Sequence, residues 1–357
     1  MSKNLKIALV HDDLVQWGGA EKLLLSLSEV FPRAPIYTSV MDFTNPLIKK
    51  YFNSKIIITS FMQKIPGWRS LYRAFLPLYP LAFEQFDFSA FDIVLSQTTR
   101  FAKSIITRPE TKHICYCHTP PRFLWNFSDE KTPFLLQPYL KFLKQYDRIS
   151  SGRVDYWIAG SKNAQERIKQ IYNAESMIIY PFVDMDKFGY FGGYEGDYLL
   201  VISRLNKYKR ADLAILASEK LNIPVKVVGK GPELERLATL GKQKVELLGT
   251  VDDEMLAHLL LGCKAVLVTG EEDFGIVSLE AQALGKPVIA FGKGGALETV
   301  IDGCTGYFFY EQTVESLCDA LEKLYKKGYN QKRCKENAKR FSKERFYNEF
   351  QNLILNL

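Results

Sequence analysis

Nine short apolar runs recur along these 357 residues, and most lead into a segment whose apolar positions fall at helical spacing. LKIALVH (5–11) is continuous in the way a strand buried on both faces must be, and GGAEKLLLSLSEVF (18–31) after it repeats apolar residues at Leu23, Leu27 and Val30. FDIVLSQ (91–97), KHICYCH (112–118) and DYWIAGS (155–161) extend the series, the last running into KNAQERIKQIY. A second series follows: YLLVIS (198–203), VKVVG (225–229), VELLG (245–249), AVLVTG (265–270) and KPVIAFG (286–292). Strands alternating with helices predict doubly wound α/β sheets.

Two such series imply two Rossmann-like domains, and at 47% hydrophobic residues the chain can bury two cores. The stretch IIYPFVDMDKFGYFGGYEGD (178–197), rich in Gly, Pro, Asp and Tyr, reads as the linker. The expected domains are therefore 1–182 and 183–335, with a charged helical segment, 336–357, crossing back to the first. Open α/β sheets bind ligands beyond the carboxyl ends of their strands, so the two sheets are expected to face each other across a shared cleft.

Several functions lose their support at this stage. No run of 18 uncharged apolar residues occurs, and MSKNLKIALVHDD is a strand followed by aspartates rather than a signal peptide, so a cytoplasmic or membrane-peripheral protein is expected. Cysteines 115, 117, 263, 304, 318 and 334 form no CxxC pair, and with four histidines no metal cage is expected. After Gly229 and Gly231 the third glycine of a dinucleotide fingerprint is replaced by Leu234, and no phosphate-binding GxxxxGK[ST] loop is present. Residues 1–182 hold 23 Lys and Arg against 15 Asp and Glu, whereas the remainder holds 24 against 25. That excess accompanies no nucleic-acid-binding motif, so nucleic acid is not an expected partner.

The stretch VTGEEDFGIVSLEAQALGKPVIAFGKGG (268–295) carries the clearest chemistry. AVLVTG should end near Gly270 and a helix should begin after Gly275, which leaves unpaired backbone N–H groups around Asp273, Phe274 and Gly275. Such a helix start attracts anions. Glu280 lies one turn past Ile276, and helical side chains lean toward the N-terminus, so its carboxylate points back to that start. Glu272 and Glu280, beside an anion site, could grip sugar hydroxyls on the two sides of a diphosphate. Two glutamates eight apart are commonplace by themselves; the setting is what gives them weight.

EDFGIVSLEAQALGKPVI resembles the C-terminal signature of the retaining glycosyltransferases of family 4, whose two-Rossmann architecture is the GT-B fold. SRLNKYKR (203–210), VGKGPELERL, LLGTVDDEML, GKGGALETV and DGCTGYFF match that family in order and spacing. Arg210 stands where many members have glycine, and Asp273 replaces another. The resemblance implies that Arg204 and Lys209 grip the donor diphosphate, that Glu280 holds ribose hydroxyls and that Glu272 holds a hydroxyl of the transferred sugar. The backbone of Asp273, Phe274, Gly275 and Ile276 would meet sugar and phosphate, with Val251 near the base.

In the first domain it implies that Gly18 and Gly19 reach the donor phosphates and that Glu21 shapes the acceptor side. His118, in HTPPRFLW, would lie beside the transferred sugar, and Ser161 at the cleft edge. The detailed likeness to bacterial mannosyltransferases of surface polysaccharide assembly implies GDP-mannose as donor and a lipid-linked oligosaccharide as acceptor, with no cofactor or metal. A UDP-sugar donor, or a non-catalytic nucleotide-sugar- or lipid-binding partner, is the alternative. FMQKIPGWRSLYRAFLPLYPLAFEQFDFSAF (61–91) mixes Lys64, Arg69 and Arg73 with Trp68, Tyr72, Phe75, Tyr79, Phe83 and Phe86. Two readings stay open for it: a basic, aromatic face on an anionic membrane surface, peripheral on the inner face of the cytoplasmic membrane, or core packing, which is where most aromatics at helical spacing go.

Overall fold

The computed structural model describes residues 5–71, 75–125, 137–185, 196–241 and 244–357. The chain folds as two compact units, Met1–Tyr180 with Tyr347–Leu357, and Pro181–Phe346. The first boundary lies at Tyr180 rather than after residue 182, and residues 186–195 of the expected linker lie outside the described residues. The helix Gln331–Lys339 stays with the second unit, so of the expected return segment 336–357 only the last eleven residues join the first.

The first unit is built on a seven-stranded parallel sheet: β1 Ile7–His11, β2 Ile36–Thr38, β3 Ile57–Thr59, β4 Ile93–Thr98, β5 Lys112–Cys117, β6 Tyr156–Ala159 and β7 Ser176–Ile178, in the order β3-β2-β1-β4-β5-β6-β7. The second has six parallel strands: β8 Leu199–Ile202, β9 Val225–Val228, β10 Val245–Gly249, β11 Ala265–Val268, β12 Val288–Phe291 and β13 Gly306–Phe309, in the order β10-β9-β8-β11-β12-β13. The nine apolar runs supply nine of these thirteen strands. Of the other four, β2, β3 and β7 are three residues long, too short to show periodicity against their surroundings, and β13 lies in DGCTGYFF, a stretch noted for its family match rather than as a strand.

Central strands are buried along their whole length, as in β4 and β11, because helices cover both faces of a parallel sheet. In the second unit Leu199, Val201, Val227 and Leu267 pack with Leu213, Leu317 and Leu321 from the helices Ala211–Leu221 and Val314–Lys327. In the first, Cys115 and Cys117 share one face of β5 with Trp157 and Ile168 against them, and both are reduced thiols.

Among the described residues of 61–91 the aromatic rings follow the core-packing reading. Trp68, Tyr79, Phe83 and Phe86 are 8%, 1%, 0% and 9% exposed and join Val10, Val94 and Phe101 in the core of the first unit, with Phe75 packed against them. Arg69 turns to Asp42 at 3.2 Å; Tyr72 and Arg73 lie outside the described residues. Tyr37, Phe86 and Phe88 meet edge to face, the arrangement aromatic quadrupoles favour. The rings are spent on packing, which is the usual fate of aromatics at helical spacing.

The turn after β4 is held by one buried carboxylate. Oδ2 of Asp12 accepts the Thr99 and Arg100 amides at 2.6 and 2.9 Å, and Oδ1 accepts those of Phe101 and Ala102 at 2.9 and 2.8 Å. Burial alone would raise this carboxyl, but the His11 ring, these amides and Arg100 outweigh it and hold Asp12 below the usual carboxylate range. Both oxygens are needed as acceptors, so an isosteric amide turns one set of contacts into donor against donor. Asp12→Asn is expected to destabilise the protein by about 3 kcal/mol at neutral pH in urea unfolding. A carboxyl with a depressed folded pKa contributes its stability above the unfolded value and loses it as pH falls through the folded one, so the gap between wild type and variant should close in acid. A gap that stays constant or widens in acid contradicts this account of the turn.

Candidate active site

In each sheet the order of strands reverses beside the first strand, between β1 and β4 and between β8 and β11. The loops leaving two such neighbours at their carboxyl ends turn to opposite faces and leave a crevice, which is where open α/β sheets bind ligands. The residues singled out from the sequence follow β1, β5 and β6 in the first unit and β8, β10 and β11 in the second. A polar hollow of about 360 Å³ lined by Lys6, Asp92, Arg108 and Glu110 lies at the other, amino-terminal end of β1, β4 and β5, away from all of them.

In the second unit the loops after β8 and β11 are fitted together closely. Thr269 Oγ1 donates to the Lys209 carbonyl at 2.9 Å, and a Cβ on Gly270 would come 2.5 Å from the Tyr208 carbonyl oxygen, so only glycine lets the chains approach. That approach puts Nζ of Lys209 2.6 Å from Oε2 of Glu272, with side chains 12% and 23% exposed. The far side of the Glu272 loop is tied down as well: Gly295 N–H donates to the Glu272 carbonyl at 2.8 Å, and a Cβ on Gly295 would lie 2.2 Å from Phe274 Cα. Glu271 meets Lys293 at 3.1 Å.

Gly275, at φ 94° and ψ 54°, ends the loop and caps the helix Ile276–Ala283. A left-handed residue here is what turns the chain from strand to helix over so short a loop. The Phe274 ring packs inward, 5.5 Å from Phe341, and anchors this segment. Glu280 is 8% exposed on the same helix, which Asn337 braces through Gln282 Oε1 at 2.8 Å and the Thr299 carbonyl at 2.9 Å. Arg204 is exposed just beyond β8, and Val251 is half-buried beyond β10, two strands away from β8.

Arg210, standing where family members often have glycine, is left-handed at φ 51° and ψ 38°. The position keeps a glycine conformation without glycine, and the guanidinium settles on Asp212 at 3.1 Å. Arg210 thus ends the Lys207–Lys209 turn that delivers Lys209 to Glu272.

In the first unit Gly18 caps the helix Gly19–Val30 in extended conformation, with Gly19 exposed. Glu21, assigned to the acceptor side, is 3% exposed and turned inward: its Oε1 lies 3.9 Å from His11 Nε2, and Oε2 would stand 3.2 Å from a Cβ on Gly18. Burial opposes a charged His11 ring, but Glu21, with Asp12 and Asp13, outweighs burial and raises it above its ordinary value. Asp13 pairs with Arg100; burial raises its carboxyl more than the guanidinium lowers it. His118 is half-buried just past β5, its N–H donating to the Thr98 carbonyl at 3.1 Å and its ring 5.1 Å from that of Tyr116. The segment after it is moored by Trp125, whose Nε1 donates to Asp147 at 2.8 Å beside the buried Lys103–Asp147 pair. Ser161 caps the helix Lys162–Tyr172 by accepting from the Ala164 amide at 3.0 Å, which by itself accounts for a buried serine there.

His11, Asp12, Asp13 and Arg100 were not among the expected site residues. HDD closing the first strand is the one local signal for three of them; the amides that Asp12 accepts and the guanidinium that Asp13 pairs with lie more than 80 residues away. Among the described residues no group of three or more His, Cys, Asp or Glu side chains is arranged to hold a metal ion.

Comparison with known proteins bears on family and fold. The profile of the family "Glycosyltransferase Family 4" matches residues 17–187, and that of "Glycosyl transferases group 1" matches 194–341. The alpha-1,3/1,6-mannosyltransferase ALG2 of Dictyostelium discoideum is 25% identical over 96% of this chain and 95% of its own. A D-inositol 3-phosphate glycosyltransferase of Mycobacteroides abscessus is 32% identical over 49% of this chain and 45% of its own. Among solved structures, sucrose-phosphate synthase of Thermosynechococcus elongatus superposes with a TM-score of 0.76 at 16% identity, covering 99% of both chains. Anabaena HepE, solved with UDP and glucose, gives 0.73 at 18% identity over 99% of this chain and 100% of its own. Matched by glycosyltransferase profiles through both units and folded like these enzymes, the chain belongs to the family 4 glycosyltransferases of the GT-B fold.

Proposed function

We propose that this glycosyltransferase moves mannose from GDP-mannose to a lipid-linked oligosaccharide, with retention at the anomeric carbon, in bacterial surface polysaccharide assembly. The observation that carries the reading is the Lys209–Glu272 pair beside the β8/β11 reversal. An ammonium is complementary to a diphosphate and a carboxylate to sugar hydroxyls; here the two stand one hydrogen bond apart, which is the distance between those parts of a nucleotide-sugar. On donor binding Lys209 exchanges Glu272 for phosphate oxygens, and Glu272 takes a hydroxyl of the hexose. Arg204 adds a second cation, the first turn after Gly275 adds backbone N–H groups, and Glu280 takes the ribose hydroxyls.

Bond cleavage builds negative charge on the departing diphosphate. Fixed cations and amides stabilise that charge without reorganising. Departure leaves an oxocarbenium-like hexose, which the acceptor hydroxyl meets on the face the diphosphate vacates; the phosphate takes the hydroxyl proton. The reading assigns His118 and the Gly18–Gly19 turn to the sugar and phosphates of the same donor. Mannose is favoured by the relatives named as mannosyltransferases that align along nearly the whole chain. The acceptor's lipid, rather than the aromatic rings of 61–91, is then what would bring the enzyme to the inner face of the cytoplasmic membrane.

Lys209→Ala and Glu272→Ala should each lower transfer by about 10²–10³-fold, the scale of losing one transition-state contact. Neither side chain belongs to an apolar core, so thermal midpoints should stay near that of wild type; wild-type turnover in either variant would contradict the assignment. In a panel of nucleotide-sugars, purified protein should release nucleotide fastest from GDP-mannose. Faster release from a UDP-sugar would replace the donor. Saturable binding of a donor with no release or transfer would favour a non-catalytic partner.

A further inference from the structure

His118 is gripped by a residue outside the motifs that carry the family resemblance, the glutamine that closes the run FDIVLSQ. Gln97, on β4 and fully buried, sets its amide nitrogen 2.7 Å from the Ala20 carbonyl oxygen and 2.6 Å from Nε2 of His118. An amide donates only through nitrogen and accepts only through oxygen. The Ala20 contact therefore decides which way round the group sits, since the reversed amide would press Oε1 against a carbonyl oxygen at that same 2.7 Å. With nitrogen on this side, one N–H goes to Ala20 and the other meets His118. Nε2 must then accept. A neutral imidazole accepting through Nε2 carries its hydrogen on Nδ1, and an imidazolium here would oppose N–H to N–H.

We infer that Gln97 is a positioning residue that locks His118 as the neutral Nδ1–H tautomer, making it a hydrogen-bond donor to a hydroxyl of the transferred hexose and not a general acid. The inference rests on the reading that His118 serves the sugar. Two further observations support the lock. Oε1 of Gln97 is buried with no partner among the described residues, a cost that native interiors seldom carry without a compensating role. The Tyr116 ring, set edge to face at 5.1 Å, holds the plane of the imidazole. Because Ala20 directly follows the Gly18–Gly19 turn, the same amide fixes that turn and His118 to each other.

The test is imidazole ¹⁵N NMR on the intact protein without donor, with His118 assigned by its loss in His118→Phe. In wild type, Nε2 should resonate as the unprotonated nitrogen and Nδ1 as the protonated one. Gln97→Leu should release the constraint and give mixed tautomers. Gln97→Glu, whose carboxylate accepts, should place a proton on Nε2. Nucleotide release should fall about tenfold in Gln97→Leu, the effect of losing one ordinary hydrogen bond. A protonated Nε2 in wild type, an unchanged His118 spectrum in Gln97→Leu, or wild-type turnover in that variant would each overturn the inference. The spectra need no donor, so they stand apart from whether the enzyme uses GDP-mannose.

Discussion

The reversal of strand order beside the first strand of each sheet is the constraint on which the rest depends. A parallel sheet wound outward in both directions from β1 and β4, or from β8 and β11, must send the loops after those strands apart. What fills the gap is decided by the few residues that follow each strand. In the second unit they are a lysine and a glutamate brought to 2.6 Å by glycines at 270 and 295, where any side chain would collide with neighbouring backbone. In the first they are His11, Asp12 and Asp13, directly past or closing β1.

The two units use charge differently. Around β1 the carboxylates are turned inward: Asp12 takes four amides, Asp13 takes Arg100, and Glu21 faces His11. Buried charges hold a loop in place when every one of them is matched, and they destabilise when one partner is lost. Around β8 and β11 the ions are partly open to solvent and so remain available to exchange partners with a ligand. Rigid backbone with exchangeable side-chain ions is what electrostatic stabilisation of a leaving group requires, since the donors need not reorient as charge develops.

How much of this could be read in advance follows from the range of each interaction. Lys209, Glu272, Gly275 and Glu280 sit on two continuous stretches whose strand, turn and helix signals are local, and the helix Ile276–Ala283 begins where the sequence places it. The Asp12 cap spans almost ninety residues and the Gln97 bridge to Ala20 spans 77, and no local pattern reports either. Glu21 was named only through the family resemblance, on the acceptor side, while its inward direction depends on His11, a contact made by tertiary packing. The aromatic stretch 61–91 was ambiguous in advance. Composition suited a membrane face and helical spacing suited packing; Tyr79 and Phe83 lie in one core with Val10, Tyr37, Val94 and Phe101, and no local pattern reports that grouping.

A crystal structure of the full chain with GDP-mannose or its non-hydrolysable analogue addresses the central claim most directly. The account predicts the diphosphate within hydrogen-bond reach of Lys209 Nζ and the Arg204 guanidinium, Glu280 on the ribose, and Glu272 released from Lys209 to a hexose hydroxyl. A donor seated away from the carboxyl ends of β8 and β11, or bound there with the Lys209–Glu272 contact intact and no phosphate on the lysine, would contradict it.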